Sequence, residues 1–358
     1  MLSIDRRVYN MKLLVIHQDT KLFNLLKEFC AASDKPHFQN LELDYLKDTS
    51  SQRYAPHVSY VKRFEEEGPE WCEPDPLVLE KIQNADILLT EICCVNKKVI
   101  DAGQNLKMIA TIRSAAENIN YKYAAQKGIP VSISPSRLGQ AVADMTVAMI
   151  LSECRGLLRR NLRYTKGEWV AEKYNDDSHS VLGNLKIGLV GYGGIARIVA
   201  KRLIHGFGCQ VFAYETITPT EVLVTDGVIP LSLEELCKTC DVVSLHARLV
   251  PENTRMFGKQ QFDLMKPNAI FVNTARAGLV DEAALIEALQ TGKIRGACLD
   301  VYSTEPFPTD SPLLQMDNVT LMPHSAGVTA DMEKNSLKII LQDIDRFLAG
   351  EALQFQVK

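Results

Sequence analysis

The sequence predicts an α/β fold built on a doubly wound parallel sheet, and two observations support this prediction. From Lys186 onward, short apolar runs rich in Val, Ile or Phe alternate with amphipathic stretches of helical periodicity. A weaker form of the same alternation extends over roughly residues 11–140. Strands that alternate with helices form parallel sheets with right-handed crossovers. The 358 residues suffice for about two domains, so we expect two α/β domains, of which the first is the smaller.

The first part of the chain contains apolar runs that predict buried strands. These runs are "KLLVIH" (12–17), "ADILLT" (85–90), "KMIATIR" (107–113) and "IPVSIS" (129–134). Helical or irregular segments separate them, and residues 35–76 remain ambiguous between strand and helix. The segment that follows, "GQAVADMTVAMILSECRGLLRRNLRYTKGEW" (139–169), predicts one long helix whose apolar half gives way to basic, polar turns near Gly167. We expect this helix to connect the two domains.

Six further runs predict the strands of the second domain. They are "KIGLVG" (186–191), "CQVFAYE" (209–215), "DVVSLHA" (241–247), "AIFVNTA" (269–275), "GACLDV" (296–301) and "VTLMPH" (319–324). Helical patterns such as "ARIVAKRLIHGFG" (196–208) and "LSLEELCKTC" (231–240) lie between them. A last helix follows, in which five apolar residues share one face: Leu337, Ile340, Leu341, Ile344 and Phe347.

Composition argues against two classes of partner. The formal net charge is -4 with both signs interspersed, so the chain has no basic stripe for nucleic acid, and no run reaches the ~18 apolar residues of a membrane span. The first residues, "MLSIDRRVYNMKLLVIHQ", contain too short an apolar run for a secretion signal. We therefore expect a cytoplasmic protein that binds neither nucleic acid nor membrane.

The nine cysteines favour packing over metal binding. Most of them lie singly in apolar segments, where free cysteine behaves as a small hydrophobic residue. Cys237 and Cys240 have a spacing that zinc sites use, but no second pair of Cys or His follows at a suitable distance. We expect no metal site.

A glycine-rich loop indicates a dinucleotide site. Gly191, Gly193 and Ala196 form a GxGxxG/A pattern directly after a predicted strand and at the start of a predicted helix. Gly191 permits the tight turn, Gly193 allows the backbone to approach a pyrophosphate, and Ala196 keeps helix and strand close. The helix N-terminus offers free N–H groups to an anion. Alone, this pattern also occurs by chance in turns of small residues.

Glu215 strengthens the case for a dinucleotide and favours NAD over NADP. It ends the next predicted strand, a little over twenty residues beyond the loop. A carboxylate there accepts hydrogen bonds from a ribose 2′-hydroxyl and repels a 2′-phosphate. The following "TITPT" has no Arg or Lys that would bind a phosphate. The alternative is a solvated glutamate at a strand end.

Three later strands end in residues that could handle a hydroxy or keto acid. Arg276 follows "AIFVNTA", Asp300 and Glu305 follow "GACL", and His324 ends "VTLMPH". The carboxyl ends of parallel strands lie at one edge, where open α/β sheets bind ligands. There an arginine can hold a carboxylate, and a histidine oriented by a glutamate can transfer a proton.

Each of these residues also has a structural interpretation. Arg276 could form a surface salt bridge, Glu305 could be a solvated loop charge, and His324 could be a satisfied core histidine. His246 ends another strand, and we expect it to border the cofactor and not to transfer the proton.

Five motifs resemble a known family in order and spacing. "LVGYGGIAR", "VVSLHARLVPENT", "FVNTARAGLVDE", "GACLDVYSTEP" and "LMPHSAG" resemble the D-isomer-specific 2-hydroxyacid dehydrogenases over roughly residues 85–350. The resemblance implies a Rossmann-type NAD-binding domain (141–327) inserted into a smaller flavodoxin-like substrate domain (1–140 plus 328–358). It also implies that the last helix returns to the substrate domain and buries its apolar face there.

Carried over position by position, the resemblance makes Arg276 the carboxylate anchor, His324 the acid/base and Glu305 its partner. Asp300 would bind the nicotinamide carboxamide. The remaining cofactor contacts would be Gly191, Tyr192, Gly193, Gly194, Ile195, Ala196, Glu215, His246, Ala247, Thr274, Ala275 and Ala326.

The chain departs from the family in places that concern the substrate. "IRSAAENINYKYAAQKGIPV" stands where the family has a glycine-rich, carboxylate-binding segment, so Arg113, Ser114 and Ala115 become the expected substrate contacts. Ser114–Ala116 could still present N–H groups, whereas Arg113 is either a substrate-side cation or a surface charge.

Three other departures are Ala277 for the second residue of "RGG", Arg248 for a proline near the expected adenine site, and Glu91. Glu91 begins a loop that is basic in relatives acting on phosphorylated substrates, so such a substrate is not favoured. Lys97 and Lys98 keep it open.

The sequence therefore predicts an NAD-dependent D-2-hydroxyacid dehydrogenase or 2-keto acid reductase. Family habit further predicts a homodimer. One alternative is an NAD(H)-sensing binding protein, like the corepressors that share this fold. Another is an enzyme of unrelated chemistry on the same fold, which would require that Arg276, Glu305 and His324 not meet.

Overall fold

The chain divides into two compact units. A computed structural model describes residues 11–54, 57–169 and 181–357. The first unit comprises Met1–Arg137 and Ala330–Lys358, and the second comprises Leu138–Thr329. In chain order the second unit is therefore inserted into the first. The expectation of no secretion signal rests partly on residues 1–10, which lie outside the described residues.

The secondary structure alternates strands and helices along the chain. The strands are β1 Lys12–His17, β2 Glu42–Lys47, β3 Ile87–Thr90, β4 Met108–Thr111, β5 Val131–Ser132, β6 Lys186–Val190, β7 Gln210–Tyr214, β8 Ile229–Pro230, β9 Val242–Leu245, β10 Ile270–Asn273, β11 Gly296–Leu299 and β12 Val319–Leu321. The helices are α1 Lys21–Ala32, α2 Pro36–Gln39, α3 Ser50–Arg53, α4 His57–Glu67, α5 Pro76–Lys81, α6 Lys97–Ala102, α7 Tyr121–Gln126, α8 Gly139–Arg155, α9 Leu157–Thr165, α10 Gly194–Phe207, α11 Thr220–Thr225, α12 Leu233–Thr239, α13 Lys259–Leu264, α14 Glu282–Gln290 and α15 Met332–Leu348.

The first unit is built on a five-stranded parallel sheet in the order β2-β1-β3-β4-β5. The central strands are buried on both faces, as in sheets covered by helices on both sides. The ambiguous stretch of residues 35–76 contains β2, whose residues are at most half-buried because it is an edge strand. Its side chains therefore lack the continuous apolar run that marks the other strands.

Helix α15 completes one face of the first sheet. Leu337, Ile340, Leu341 and Ile344 are buried in a cluster with the β1 side chains, and Phe347 packs against that cluster partly buried. The apolar face of α15 is therefore buried against the sheet of the first unit, as the resemblance predicted. At ~25 cal/mol per Å² of apolar surface, burying such a stripe favours folding by several kcal/mol.

The second unit is built on a seven-stranded parallel sheet in the order β12-β11-β10-β9-β6-β7-β8. All six predicted runs form strands, and the two parallel sheets with their helices confirm the predicted α/β fold. The seventh strand, β8, was not predicted. It has two exposed residues, one of them Pro230, and proline is tolerated in a sheet at such an edge.

The predicted single helix over residues 139–169 is wrong. The chain forms α8 and then α9, and Gly156 between them has φ 57 and ψ 33. This left-handed conformation, which glycine adopts without a Cβ penalty, ends α8 and changes the direction of the chain. Helix α8 buries one face in the core of the second unit, whereas none of the α9 residues is buried.

The nine cysteines are free and buried. Cys237 and Cys240 lie within the hydrophobic core of the second unit, where burial raises the pKa of each thiol to about 12. They are therefore neutral packing residues. Among the described helices, none combines the length and the apolar character that crossing a bilayer requires.

Two glycines of the second unit give a matched test of the packing. A Cβ on Gly188 in β6 would lie 2.6 Å from Leu236 Cδ2 and 2.9 Å from Cys240 Sγ. A Cβ on Gly206 in α10 would meet no heavy atom within 4 Å. We predict that Gly188→Ala lowers the free energy of unfolding by about 1–3 kcal/mol through overpacking. Gly206→Ala should raise it by roughly 0.5–1 kcal/mol, because alanine restricts the unfolded chain and favours the helix.

Urea unfolding followed by circular dichroism measures both effects. Midpoints that shift in the same direction for the two variants would contradict the described packing around β6.

Candidate active site

The glycine loop has the geometry of a dinucleotide site. Gly191 has φ +92, and a Cβ there would lie 2.6 Å from the Ala247 backbone nitrogen, so this position requires glycine. A Cβ on Gly193 would meet nothing within 4 Å, which leaves its backbone open to approach. Helix α10 starts at Gly194 without a side-chain cap, and Ala196 is fully buried beneath the loop. The residues present therefore fit a pyrophosphate at a helix N-terminus.

Glu215 lies beside the glycine loop at the end of β7. Its carboxylate accepts hydrogen bonds from the backbone N–H groups of Tyr192, Thr216 (2.7 Å), Ile217 (2.6 Å) and Thr218 (3.3 Å). Partial burial would raise the pKa of Glu215, but these backbone bonds outweigh it and lower the pKa. The group is thus an anion at the place where a ribose hydroxyl would bind, which fits NAD.

Three predicted cofactor residues use their side chains for contacts within the protein: two form hydrogen bonds and one packs against the core. Tyr192 is fully buried and donates its hydroxyl to Asp226 at 3.1 Å, so only its backbone faces the loop. The Thr274 hydroxyl is 2.9 Å from that of Thr146 in α8. Ile195 packs partly buried against the core. Cofactor contacts of these residues stay predictions.

His246 and Ala247 follow β9, the neighbour of β6 at the point where the strand order reverses. The His246 Nε2 lies 2.9 Å from the Ser244 hydroxyl. Desolvation lowers the pKa of His246 to about 4, so its imidazole is neutral near pH 7. A neutral ring suits the predicted role of lining the site without transferring the proton.

Glu305 and His324 meet at the carboxyl edge of the sheet. Nδ1 of His324 is 2.8 Å from one Glu305 carboxylate oxygen, and the other oxygen accepts the Tyr302 backbone N–H at 3.1 Å. Because a carboxylate only accepts hydrogen bonds, this contact assigns a proton to Nδ1. The Nε2 atom then remains for proton exchange. The side chain of His324 is 50% exposed, so a substrate can reach it.

Asp300 holds the turn that carries His324. Its two carboxylate oxygens accept the backbone N–H groups of Ser325 at 2.8 Å and Ala326 at 3.0 Å. His324 itself has φ +50, a left-handed conformation that is uncommon for a residue with a side chain. Burial raises the pKa of Asp300 against the opposing effect of these two bonds. The predicted contact of Asp300 with a nicotinamide carboxamide stays a prediction.

Two further residues shape this edge and were missed from the sequence. Tyr302 donates its hydroxyl to the carbonyls of Leu299 (3.1 Å) and Met322 (2.7 Å), which joins the ends of β11 and β12. Asn273, 2% exposed at the end of β10, donates to the Arg276 carbonyl at 3.1 Å and accepts from Ala275 N–H at 3.0 Å. The sequence signal that could have identified Asn273 is a polar residue at the end of an otherwise apolar run.

Arg276 follows β10, the strand next to β11, and its guanidinium is exposed. Its described hydrogen bond goes from Nη1 to the Ala275 carbonyl at 2.8 Å. The next glycine, Gly278, packs closely, since a Cβ there would lie 2.7 Å from Leu249 Cδ2. Ala277 begins a short 3-10 turn, Ala277–Leu279, and its methyl group is accommodated half-buried. The guanidinium is thus free of carboxylate partners within the described part of the chain.

The predicted substrate contacts lie in the first unit. Arg113, Ser114 and Ala115 follow β4, at the carboxyl edge of its sheet. Nη2 of Arg113 is 3.6 Å from Glu117 Oε2, and the arginine side chain is 16% exposed. Arg113 is therefore a largely buried cation, and the sequence alternative of a surface charge does not describe it. Arg248, in contrast, is exposed.

Three potential metal ligands lie together in the first unit. The ligand atoms of His17, Asp19 and Glu333 are within 4.8 Å of one another. However, Nζ of Lys21 lies 3.4 Å from Glu333 Oε2, and Nε2 of His17 contacts Glu91 at 3.1 Å. An ammonium group already neutralises the carboxylate, which disfavours a metal ion there.

Comparison with known proteins finds a matching family model and similar sequences. Residues 147–326 match the family model described as D-isomer specific 2-hydroxyacid dehydrogenase, NAD binding domain. The chain is 37% identical over 276 residues to the D-3-phosphoglycerate dehydrogenase of Methanocaldococcus jannaschii, covering 76% of this chain but only 52% of that protein. It is 34% identical over 283 residues to the glyoxylate reductase of Thermococcus litoralis, covering 78% of this chain and 85% of that one.

Solved structures include a similar chain with the cofactor. The D-lactate dehydrogenase of Lactobacillus jensenii, solved with NAD+, is 26% identical, with a TM-score of 0.74. The match covers 97% of this chain and 100% of that chain. The proteins similar to this chain therefore include one whose solved structure contains NAD+.

The depressed pKa of His246 predicts a pH dependence of stability. On acidification the unfolded chain protonates this histidine near 6.5, whereas the folded chain does so only near 4. Stability is therefore lost as the pH falls between these values, by at most about 3 kcal/mol, because part of the ring stays exposed. We predict that His246→Gln loses less stability than the wild type between pH 7.5 and pH 4.5.

Urea midpoints at the two pH values test this, with His205→Gln, an exposed histidine of α10, as the control. If the two variants respond alike to pH, His246 does not titrate as described.

Proposed function

The chain belongs to the D-isomer specific 2-hydroxyacid dehydrogenase family, and from that premise we propose that it interconverts a D-2-hydroxy acid and a 2-keto acid. Residues 147–326 match the NAD-binding domain of the family, so its cofactor is NAD. The observation that carries the proposal is the 2.8 Å contact between Glu305 and Nδ1 of His324 at the carboxyl edge of the sheet. This contact leaves Nε2 of His324 available for proton transfer. The glycine loop and Arg276 follow other strands of the same parallel sheet.

NAD, when bound, supplies the carbon that accepts or donates hydride. The protein has to hold the acid and move one proton. In the reductive direction, Nε2 of His324 donates a proton to the carbonyl oxygen of the keto acid, while Glu305 stabilises the doubly protonated ring through Nδ1. In the oxidative direction the neutral ring accepts that proton. Such acid and base assistance typically contributes ~10²- to 10⁴-fold to the rate.

Arg276 binds the substrate carboxylate in this proposal. Its guanidinium presents a planar set of donors that matches a carboxylate bidentately, and its side chain is exposed for such a contact. Asn273 fixes the backbone on both sides of the arginine, which limits the freedom of the segment. Arg113, Ser114 and Ala115 are proposed as further substrate contacts from the first unit, which we take as the substrate domain.

The sequence relatives are named for different acids. The two relatives described above are named for phosphoglycerate and for glyoxylate, and the chain spans about half of the phosphoglycerate dehydrogenase. Glu91 directly follows β3 in the first unit and pairs with Arg137 at 3.0 Å. The loop that it begins is basic in relatives that act on phosphorylated substrates, as the family resemblance implies. We therefore propose an unphosphorylated acid.

The test is oxidation of NADH with a panel of small 2-keto acids. We predict that Arg276→Ala and His324→Ala each lower kcat/KM by at least ~10³-fold, because one loses the carboxylate anchor and the other the proton donor. Arg346→Ala and His205→Gln, which replace a half-buried arginine of α15 and an exposed histidine of α10, should stay within ~2-fold of the wild type.

The outcomes separate the two functional hypotheses. Turnover that depends on Arg276 and His324 supports the dehydrogenase. Tight NADH binding with no oxidation by any acid of the panel would instead support the NAD(H)-sensing protein.

We also propose that the chain forms a homodimer through α9. This helix buries no residue, and Leu158 and Leu162, four residues apart on one face, are 44% and 59% exposed. Tyr164 and Trp169 add exposed aromatic surface nearby. Exposed apolar side chains grouped on one helix are typical of a protein interface.

Light scattering coupled to size exclusion tests the dimer. The double substitution Leu158→Lys and Leu162→Lys should convert dimers into monomers, because it places charges in the apolar contact. Val224→Lys, at an exposed position of α11, serves as the control. A wild type that elutes as a monomer at micromolar concentration would contradict the proposal.

A further inference from the structure

A single tyrosine of the second unit is bonded to the backbone of both strands that precede Glu305 and His324. Tyr302 follows β11 and is 8% exposed. A tyrosine buried to this extent needs a partner for its hydroxyl group. The hydroxyl oxygen lies 2.7 Å from the Met322 carbonyl and 3.1 Å from the Leu299 carbonyl, so the Met322 carbonyl is its principal acceptor.

The Met322 carbonyl also fixes the start of the turn that carries His324. It accepts the backbone N–H of His324 at 3.0 Å in addition to the Tyr302 hydroxyl. A carbonyl oxygen has two lone pairs, so both bonds form at the same time. Pro323, which lies between the two residues, has no N–H group and a restricted φ. The hydroxyl of Tyr302 is therefore linked to His324 through one carbonyl group.

This link holds the side of the histidine that Asp300 does not. The Asp300 carboxylate binds the two backbone N–H groups that follow His324 in the chain. The hydroxyl of Tyr302 acts on the carbonyl that precedes it. His324 has φ +50, and such a conformation persists only where the surroundings determine it. The histidine is thus fixed from both directions along the backbone, and Tyr302 provides one of the two constraints.

Tyr302 also holds the partner of the histidine. Its backbone N–H donates to one oxygen of the Glu305 carboxylate at 3.1 Å, and the other oxygen lies 2.8 Å from Nδ1 of His324. Its ring packs against Phe307, with the ring centroids 4.2 Å apart. Residues 302–307 therefore form a loop that Tyr302 closes. One residue contacts the groups that locate both members of the Glu305–His324 pair.

The phenol of Tyr302 is a permanent hydrogen-bond donor. Burial raises the pKa of Tyr302 to about 12, so the hydroxyl keeps its proton under assay conditions near neutral pH. Its oxygen is directed at two backbone carbonyls that cannot take the proton from it. The hydroxyl therefore has a role in geometry and none in proton transfer.

We propose that Tyr302 is a positioning residue for the proposed reaction: its hydroxyl, acting through the Met322 carbonyl, holds His324 where Nε2 exchanges a proton with the substrate. This inference rests on the proposed function and deepens it. Tyr302 contacts neither substrate nor cofactor in this proposal. Its contribution is the placement of the histidine.

The substitution Tyr302→Phe tests the proposal, because it removes the hydroxyl and keeps the ring. We expect kcat for keto acid reduction to fall by about 10-fold, since a small displacement of a proton donor strongly slows the transfer. The KM of the keto acid and the Kd of NADH should stay within ~2-fold, because Arg276 and the glycine loop do not use this hydroxyl. Tyr54→Phe is the matched control. It removes a hydroxyl that donates to the Glu73 carbonyl at 3.4 Å in the first unit, and kcat should be unchanged.

The separation of kcat from binding distinguishes positioning from a purely structural role. Kinetic constants are expressed per NADH-binding site, which is counted by fluorescence titration. If Tyr302 only stabilises the fold, Tyr302→Phe unfolds at lower urea concentration while kcat per site keeps the wild-type value, and the proposal is overturned. An equal loss in kcat and in NADH affinity overturns it as well.

A measurement on His324 itself does not depend on turnover. Histidine labelled with ¹³C at Cε1 reports on the seven histidines of the chain by NMR, and His324→Gln identifies the signal of interest. We expect Tyr302→Phe to shift or broaden the His324 signal and to leave the His205 signal unchanged. An unchanged His324 signal overturns the proposal whatever the value of kcat.

The remaining outcomes are also decided by these measurements. Should Tyr302→Phe fail to fold, Phe307→Leu replaces it, because it removes the ring packed on Tyr302 and retains the hydroxyl. This variant should lower kcat by about 3-fold and alter the same NMR signal. A wild type that binds NADH but reduces no keto acid overturns the proposed function. The NMR signal then shows separately whether Tyr302 holds the histidine in place.

Discussion

The two hydrogen bonds that the buried carboxylate of Asp300 accepts are the interactions on which the candidate active site of the second unit depends. A charged group that is 1% exposed needs compensation, and the N–H groups of Ser325 and Ala326 provide it. The same two bonds tie the end of β11 to the turn after β12. That turn holds His324 at a positive φ, which costs on the order of 1–3 kcal/mol and persists only where the surroundings determine it. Asp300 thus positions the histidine that Glu305 then orients.

Strands that are apolar along their whole length were predictable, because burial on both faces leaves a continuous signal in the sequence. The missed strands lack that signal: β2 is an edge strand with half-buried side chains, and β8 has two exposed residues. The break at Gly156 was missed for another reason. A glycine within an apolar helical pattern does not reveal whether its backbone will be left-handed, because only the packing of α8 and α9 decides this.

The pairing of Glu305 with His324 could be predicted because both follow strands of one parallel sheet, whose carboxyl ends share an edge. Other contacts could not be predicted, because they depend on the path of the loops. Tyr302 and Asn273 act on backbone carbonyls, and the sequence does not show which carbonyls come within reach. In the first unit, Glu91 is 74 residues from His17 and 46 from Arg137, so their contact emerges only when the sheet has formed.

The carboxylate of Glu215 has two tasks, and this has a consequence for cofactor engineering. It occupies the position that we expect to select NAD, and it also accepts hydrogen bonds from the backbone N–H groups of residues 216–218 and of Tyr192. Replacing Glu215 with a neutral or basic residue to admit a 2′-phosphate would remove the acceptor that holds the turn of residues 216–218. A redesign toward NADP therefore has to rebuild the turn and the charge together, and this coupling restrains drift in cofactor preference by single substitutions.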